Sequence, residues 1–335
     1  MKPRIPVALL APLLTIQTAL SAQSSPSGPA PSIPIRRFVP VVHRVQAGDG
    51  LMPMVWGRQN SYLLETRNGI LIFDGLRTVT EANAVNAMIQ NLHKPVLAVF
   101  LTHAHPDHYG GIPVILKNNP QARFITTRKV ADALIKNFSA RNEDLIKQFG
   151  TQWAAVRPIP TQVIQSGQSL TFDDVSITGF DAGPGESDAD TYWLASGYLF
   201  KTAFTGDLVI HGIPGPGQSG HISEWICSLT LLKQVLAGYQ TIYPGHGEPG
   251  TADIIDWELD YLRFFRQTVA DAMAGGQNLD STAKEKVRTA VLSYLPDDKG
   301  NVYILFGIDE LVKEIVREGP SLPTCSPEPS RPTGN

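Results

Sequence analysis

Residues 95–111 read PVLAVFLTHAHPDHYGG, and this stretch joins a continuous apolar run to a dense group of metal-binding side chains. An apolar run of this length, bounded by turn residues, is typical of a β-strand that is buried on both faces. Three of the chain's eight histidines follow within six positions, beside one aspartate. A single histidine is usually structural, but this density at a strand exit predicts a metal site.

The spacing of these residues predicts that their side chains converge. In an extended segment alternate residues share a face, so His103, His105 and Asp107 are predicted to point the same way. A helix that starts just after Pro106 would turn His108 towards the same space. Imidazole and carboxylate ligands together favour zinc, iron or manganese over calcium or magnesium.

The flanking sequence predicts interleaved strands and helices. MVWGRQNSYLLET and NGILIFDGL are typical of two strands joined by an Asn68-Gly69 turn, and TVTEANAVNAMIQNL predicts a helix capped by Thr78 or Thr80. Roughly 30 helical residues are predicted from Arg128. Short strands follow, and the chain to about residue 317 is mainly helical. Strands and helices alternate twice, which favours two facing sheets with helices outside.

The N-terminus is typical of a secretory signal peptide. MKPR supplies positive charge, VALLAPLLTIQTAL is a short apolar run, and ALSAQSS offers a cleavage site after Ala22. We therefore expect a signal peptide at 1–22, a disordered Ser/Pro/Gly linker at 23–37, a folded domain at 38–317 and a Pro-rich tail at 318–335. No other run is long and apolar enough to span a bilayer. The mature protein is expected to be secreted or periplasmic, without stable membrane insertion.

The charge of the mature chain argues against nucleic acid as a partner. Removal of Lys2 and Arg4 with the signal peptide lowers the formal net charge from −3 to −5, whereas nucleic-acid-binding surfaces are basic. A small-molecule substrate is the expected partner, and the oligomeric state is left open. Cys227 and Cys325 are the only cysteines. They can pair in an oxidising compartment or remain two free thiols.

Four motifs resemble those of the metallo-β-lactamase superfamily and occur in the expected order. THAHPDHYGG is similar to its HxHxDH signature, FDG at 73–75 to an early Asp motif, FTGDLV at 204–209 to a strand-end Asp, and YPGHGEPG at 243–250 to the last His loop. The resemblance covers about residues 50–315. It implies an α/β fold, an αββα sandwich of two facing mixed β-sheets flanked by helices, with the active site at one edge.

The resemblance also implies two divalent metal ions, zinc first and iron or manganese as alternatives. For the first ion it implies His103 and His105 as ligands. For the second it implies Asp107, His108 and His246. Asp207 would bridge the two ions. A hydroxide between the two ions would then be the nucleophile, and Asp107 the catalytic residue that orients it or relays its proton. Asp74 is expected to make turn hydrogen bonds or to orient a metal-binding histidine rather than to bind metal directly.

One position departs from the pattern of the family. Where relatives carry a further histidine for the first metal, AGPGESDADTYW places Glu186. Glu186 is expected to bind the metal in its stead. Asp188 or Asp190 could do so, or the first site could be weak or empty. A carboxylate here lowers the charge of the metal cluster by one unit and tilts its preference towards manganese or iron.

These features together predict an exported metal-dependent hydrolase that cleaves a small ester, lactone, thioester or amide. The TGD sequence resembles the glyoxalase II and lactonase branches more than the zinc β-lactamases. Cleavage of β-lactams, alkylsulfatase-like hydrolysis and a catalytically inactive binding protein are the alternatives. His211 and His221 lie in a Gly/Pro-rich loop after Asp207 and are predicted to contact substrate. Trp56, Trp193 and Trp225 could line a pocket or belong to the core.

Overall fold

Two β-sheets that face each other form the centre of the molecule. A computed structural model describes residues 38–47, 58–295 and 301–325. The predicted signal peptide, the linker at 23–37, Trp56 and the last residues of the tail lie outside the described residues.

The first sheet is mixed and carries the first half of the chain. Its six strands lie in the order β1-β2-β3-β4-β5-β6, with antiparallel pairing up to β3 and parallel pairing beyond it. Strands β2 and β3 pair antiparallel and form the predicted hairpin around residues 68–69. The strands are β1 Val41–Gln46, β2 Asn60–Glu65, β3 Ile70–Phe73, β4 Val96–Phe100, β5 Arg123–Thr127 and β6 Gln162–Ile164.

The second sheet is also mixed and has five strands in the order β11-β10-β9-β8-β7. Strands β10 and β11 are parallel, and the other pairs are antiparallel. The strands are β7 Ser169–Phe172, β8 Val175–Gly183, β9 Asp190–Gly197, β10 Phe200–Ile210 and β11 Thr241–His246.

Helices cover the outer face of each sheet, which confirms the predicted αββα sandwich. The first sheet packs against α1 Val79–Leu92, α3 Ile112–Asn118 and α4 Arg128–Phe149, with the short α2 Pro106–Tyr109 at its edge. The second packs against α5 Ile222–Val235, α6 Asp253–Met273, α7 Ser281–Tyr294 and α8 Asn301–Glu318. The α4 helix has 22 residues, fewer than predicted, because Gly150 adopts a positive φ of 54° and ends it.

Aromatic rings fill the space between the sheets. Phe73 of the first sheet stacks on Phe204 of the second, with ring centroids 3.7 Å apart, and on Phe100 at 5.0 Å. All three are fully buried. Burial of each ring contributes on the order of 2–3 kcal/mol, so this layer holds the two sheets, and the loops at their shared edge, in register.

A disulfide joins Cys227 of α5 to Cys325 beyond α8, across a sequence separation of 98 residues. The two cysteines therefore pair, which the sequence had left undecided. The bond fastens the C-terminal segment to the second sheet's helical layer. Within the described ranges, no helix combines the length and the apolar character that a membrane span requires.

Candidate metal centre

The histidine-rich motif lies where β4 ends and α2 begins. Pro106 is the first residue of α2 and His105 its N-cap, so the backbone turns within the motif. This turn brings His108 into the site, as predicted. It also moves Asp107 out of the extended segment, so Asp107 does not share a cluster with His103 and His105. Alternation of faces ends where the helix starts, and Asp107 lies in the group to which the resemblance assigned it, with Oδ2 3.4 Å from His246 Nε2.

The first cluster consists of two histidines and two carboxylates, all buried. His103, His105, Glu186 and Asp207 place one ligand atom each within 4.8 Å of one another. Glu186 Oε2 lies 2.9 Å from His105 Nδ1 and 3.6 Å from His103 Nε2. The structure therefore brings together the first-metal ligands that the sequence predicted, with Glu186 in place of a histidine.

The second cluster consists of Asp107, His108 and His246, also buried and within the same mutual distance. Asp207 lies between the two clusters. Its Oδ1 is 3.2 Å from His108 Nε2, and its Oδ2 is 3.2 Å from His246 Nε2 and 3.7 Å from His103 Nε2. The Asp207 carboxylate therefore faces histidines of both clusters, the position in which the resemblance expects a bridging residue.

Four inward-facing atoms of these clusters are suited to a cation. Of the side-chain nitrogen and oxygen atoms in the two clusters, four are buried without a hydrogen-bond partner in the described parts of the chain: His103 Nε2, His108 Nε2, Glu186 Oε2 and Asp207 Oδ1. Buried polar atoms are nearly always paired, since leaving one unpaired is costly. Imidazole nitrogens and carboxylate oxygens are ligand atoms of divalent transition metals. The residues present therefore fit a metal centre.

Asp74 orients two of the histidines from behind. Its carboxylate accepts hydrogen bonds from the Thr102 N–H and hydroxyl, at 2.9 and 2.8 Å, and from His108 Nδ1 at 2.9 Å. Because the Thr102 hydroxyl donates to Asp74, its oxygen is left to accept from His103 Nδ1 at 3.0 Å. Both rings thus hold Nδ1 outwards and turn Nε2 to the site. Asp74 thus contacts one candidate ligand directly and another through Thr102, and it belongs to neither cluster.

Replacing Asp74 by alanine is expected to lower the affinity for metal about 10–100-fold, the usual effect of losing a residue that orients metal-binding histidines. His108 loses its hydrogen-bond acceptor directly. Thr102 also loses its acceptor and no longer fixes the His103 ring, so both imidazoles become free to rotate. Metal titration of the purified variant measures this change, with Asp132→Ala on the exposed face of α4 as a control. An affinity equal to that of the wild type would contradict the role assigned to Asp74.

Burial and charge set opposite protonation tendencies in the site. Burial and the neighbouring His108 lower the pKa of His103 well below its usual value. Burial also lowers the pKa of His105 and His246, but nearby carboxylates outweigh it. Glu186 raises the pKa of His105, and Asp207 raises that of His246 to about 10. Metal binding to His105 and His246 would therefore release protons, so metal uptake is expected to increase as pH rises.

The loop between β8 and β9 holds Glu186 by a local hydrogen-bond network. Asp190 is buried and accepts hydrogen bonds from the Ser187 N–H at 3.0 Å and the Ser187 hydroxyl at 2.8 Å. Asp188 points outwards, with 55% of its side chain exposed, and pairs with Lys136 and His221. Of the three acids considered for the first metal, the structure places only Glu186 among the ligand atoms of the two clusters.

Glycine at two positions gives the Asp207 carboxylate its space. A Cβ atom on Gly206, which adopts a φ of 53°, would collide with Thr102, and one on Gly245 would collide with the Asp207 carboxylate itself. Side chains at these positions are therefore excluded. The close approach of β10 to β11 depends on them.

The end of β11, which carries His246, is fastened to the first sheet. The Asn60 amide donates to the carbonyls of Pro244 and Gly247, at 3.1 and 2.9 Å, and the Tyr62 hydroxyl donates to Pro244 at 2.9 Å. Contacts from the opposite sheet thus hold the last histidine in place.

The two histidines predicted to contact substrate lie outside both clusters. His211 follows β10, its Nδ1 is 2.8 Å from the Glu248 carbonyl oxygen, and its ring contacts Trp257. His221 precedes α5, with Nε2 3.3 Å from Asp188. Both border loops that carry predicted ligands. Trp193 and Trp225 are fully buried core residues and line no open pocket.

Sequence reasoning missed Arg77. Its Nη2 lies 3.0 Å from Asp107 Oδ2, and both side chains are buried. Burial alone would raise the pKa of Asp107, but Arg77 and His246 outweigh it and hold that pKa well below its usual value. Arg77 stands three residues after Asp74 and directly before the helix cap Thr78, but its contact with Asp107 spans 30 positions of sequence and no local pattern predicts it.

Comparisons with known proteins agree with this geometry. A family model described as the metallo-beta-lactamase superfamily matches residues 54–246. An uncharacterized protein of Bacillus subtilis (strain 168), YobT, is 28% identical over 85 residues, which is 25% of this chain and 36% of YobT. The match thus spans about a third of that relative.

Solved structures share the fold. A metallo-beta-lactamase from Pontibacter korlensis aligns with a TM-score of 0.50 and 18% identity, covering 62% of this chain and 87% of its own. The DIM-1 metallo-beta-lactamase exposed to ceftazidime aligns with a TM-score of 0.51 and 16% identity, covering 67% and 92%. Likeness at this level of identity concerns the fold alone.

Proposed function

This chain belongs to the metallo-beta-lactamase superfamily, and from that premise and the two buried clusters we propose that it is an exported hydrolase that uses two divalent metal ions. Zinc is the first choice, with iron or manganese as alternatives. The substrate proposed is a small ester, lactone, thioester or amide.

One observation carries this proposal: nitrogen and oxygen atoms from both clusters point inwards, buried and without a hydrogen-bond partner among the described residues. They come from elements far apart in sequence, which fold together only at the shared edge of the two sheets. A purely structural cluster would satisfy its polar atoms internally. These atoms favour bound cations.

The chain's residues supply binding, orientation and proton handling. When bound, divalent cations supply Lewis acidity and lower the pKa of water towards neutrality. Hydrolysis forms a bond from a water oxygen to the acyl carbon, breaks the bond to the leaving group, and delivers a proton to that group. We assign Asp107 to orient the attacking water or relay its proton, since it lies at the second cluster and stays ionised.

The charge of the site supports an acyl substrate. Two divalent cations would be surrounded by three carboxylates, Asp107, Glu186 and Asp207. A site with histidine in place of Glu186 would have only two. A cluster with less positive charge attracts sulfate or phosphate esters less strongly. A neutral carbonyl group is the better match.

Export is supported by two independent features. The N-terminal segment has the layout of a secretory signal, and the Cys227–Cys325 disulfide suits an oxidising compartment. The acidic net charge supports a small-molecule partner rather than nucleic acid.

A substrate panel tests the proposed function. Purified protein loaded with zinc, iron or manganese is assayed against ester, lactone, thioester, amide, β-lactam and sulfate substrates, with Asp207→Asn as the inactive control. Turnover of an acyl substrate by the wild type alone is expected. Absence of turnover across the panel by fully loaded protein would favour a binding role and contradict the hydrolase.

A further inference from the structure

Arg77 is a buried arginine at the edge of the metal centre. Its backbone is fixed by the start of α1, because the Glu81 carboxylate accepts hydrogen bonds from the N–H groups of Arg77 and Thr78, at 3.1 and 2.8 Å. Its guanidinium lies 5.7 Å from the Phe149 ring centroid and 3.0 Å from Asp107 Oδ2. The side chain is 9% exposed.

The Asp107 oxygen bound by Arg77 also faces the second cluster. Asp107 Oδ2 lies 3.4 Å from His246 Nε2 and 3.9 Å from His108 Nε2. The Arg77 guanidinium and a metal ion held by this cluster would therefore both contact the Asp107 carboxylate. The guanidinium cannot lose its charge, so the two cations repel each other across Asp107.

A buried carboxylate requires a partner in the absence of metal. Taking one partner from a buried ion pair is strongly destabilising, because the remaining charge is left uncompensated. In the first cluster, His105 is the partner of the Glu186 carboxylate, with 2.9 Å between His105 Nδ1 and Glu186 Oε2. For Asp107, Arg77 is the closest cationic contact, shorter than either histidine.

We infer that Arg77 is the resident counter-cation of Asp107 in the metal-free protein, and that it makes the second metal ion the weaker and more exchangeable of the two. The inference rests on the proposed metal-dependent function. It assigns Arg77 a positioning role, since it acts through Asp107. Among the described residues, only histidines lie against the first cluster's carboxylates, Glu186 and Asp207, and no arginine does, so we expect this cluster to fill first.

Arg77→Gln tests the inference, because the glutamine amide can still donate to Asp107 while the positive charge is gone. Metal-free protein is titrated with Co²⁺, and the thermal midpoint is measured with and without the ion. In Arg77→Gln the second Co²⁺ is expected to bind on the order of tenfold more tightly, within the usual range for coupling between sites. The thermal midpoint should fall more in the metal-free than in the loaded protein.

Two variants control for charge and burial. Arg77→Lys keeps the charge and should bind the second Co²⁺ like the wild type. Arg266→Gln removes another buried arginine, 3.8 Å from Glu314, and should lower the thermal midpoint equally with and without metal. A second affinity that is unchanged or weaker in Arg77→Gln overturns the inference. A wild type that takes up no Co²⁺ contradicts the proposed function itself.

Discussion

Asp207→Asn is expected to lower hydrolytic activity by at least about 10³-fold and to reduce the metal content from two ions to at most one. Among the described side chains, Asp207 alone has oxygens that face histidines of both clusters, at 3.2 Å to His108 and His246 and 3.7 Å to His103. Metal catalysis contributes several kcal/mol, and each 1.36 kcal/mol is a factor of ten in rate.

Glu258→Gln is the matched control for this prediction. Glu258 is a fully buried carboxyl on α6 that belongs to neither cluster. Burial raises the pKa of Glu258 well above its usual value, so the neutral amide resembles its native state. Metal content and initial rates are compared for both variants. An Asp207→Asn protein that keeps two ions and full activity would contradict the bridging assignment.

Glu186→Gln is expected to lose the first metal ion while retaining the second. Its carboxylate is the only acid of the β8–β9 loop among the described ligand atoms, and Oε2 has no hydrogen-bond partner in the described structure. The expected loss of activity is again about 10³-fold, because one of the two cations is missing. Elemental analysis and kinetics measure both effects.

Glu186→His and Asp188→Asn complete this test. Histidine restores a nitrogen ligand and raises the charge of the cluster by one unit, so zinc should be retained and preferred over manganese. Asp188 is exposed and pairs with Lys136, so its amide variant should keep both ions. Loss of metal in Asp188→Asn, with none lost in Glu186→Gln, would move the ligand assignment to Asp188.

Local physical patterns predicted the strands and the turn within the histidine motif, and the family resemblance implied the αββα sandwich and the remaining members of both clusters. Apolar runs and turn residues specify strands locally, and Pro106 at the start of α2 specifies the turn that brings in His108. Six of the seven predicted ligands lie in motifs that resemble those of the superfamily. Thr78 was identified as a possible cap, and its capping box with Glu81 is present.

The remaining features depend on long-range packing. The direction of each acid in the β8–β9 loop is set by the hydrogen bonds of Ser187 with Asp190, which composition does not reveal. Asp107 lies on α2, which begins at Pro106, so its grouping with His108 and His246 follows from the helix and not from the alternation of an extended strand. Arg77 reaches Asp107 across 30 positions of sequence, and no local pattern predicts such a contact.

Metal stoichiometry of the wild-type protein tests the central claim most directly. Protein stripped with a chelator, reconstituted with zinc, iron or manganese and freed of excess ion is measured by elemental analysis. The two buried clusters predict two ions per chain, falling to one in Glu186→Gln. Fewer than one ion per wild-type chain with every metal would contradict the account.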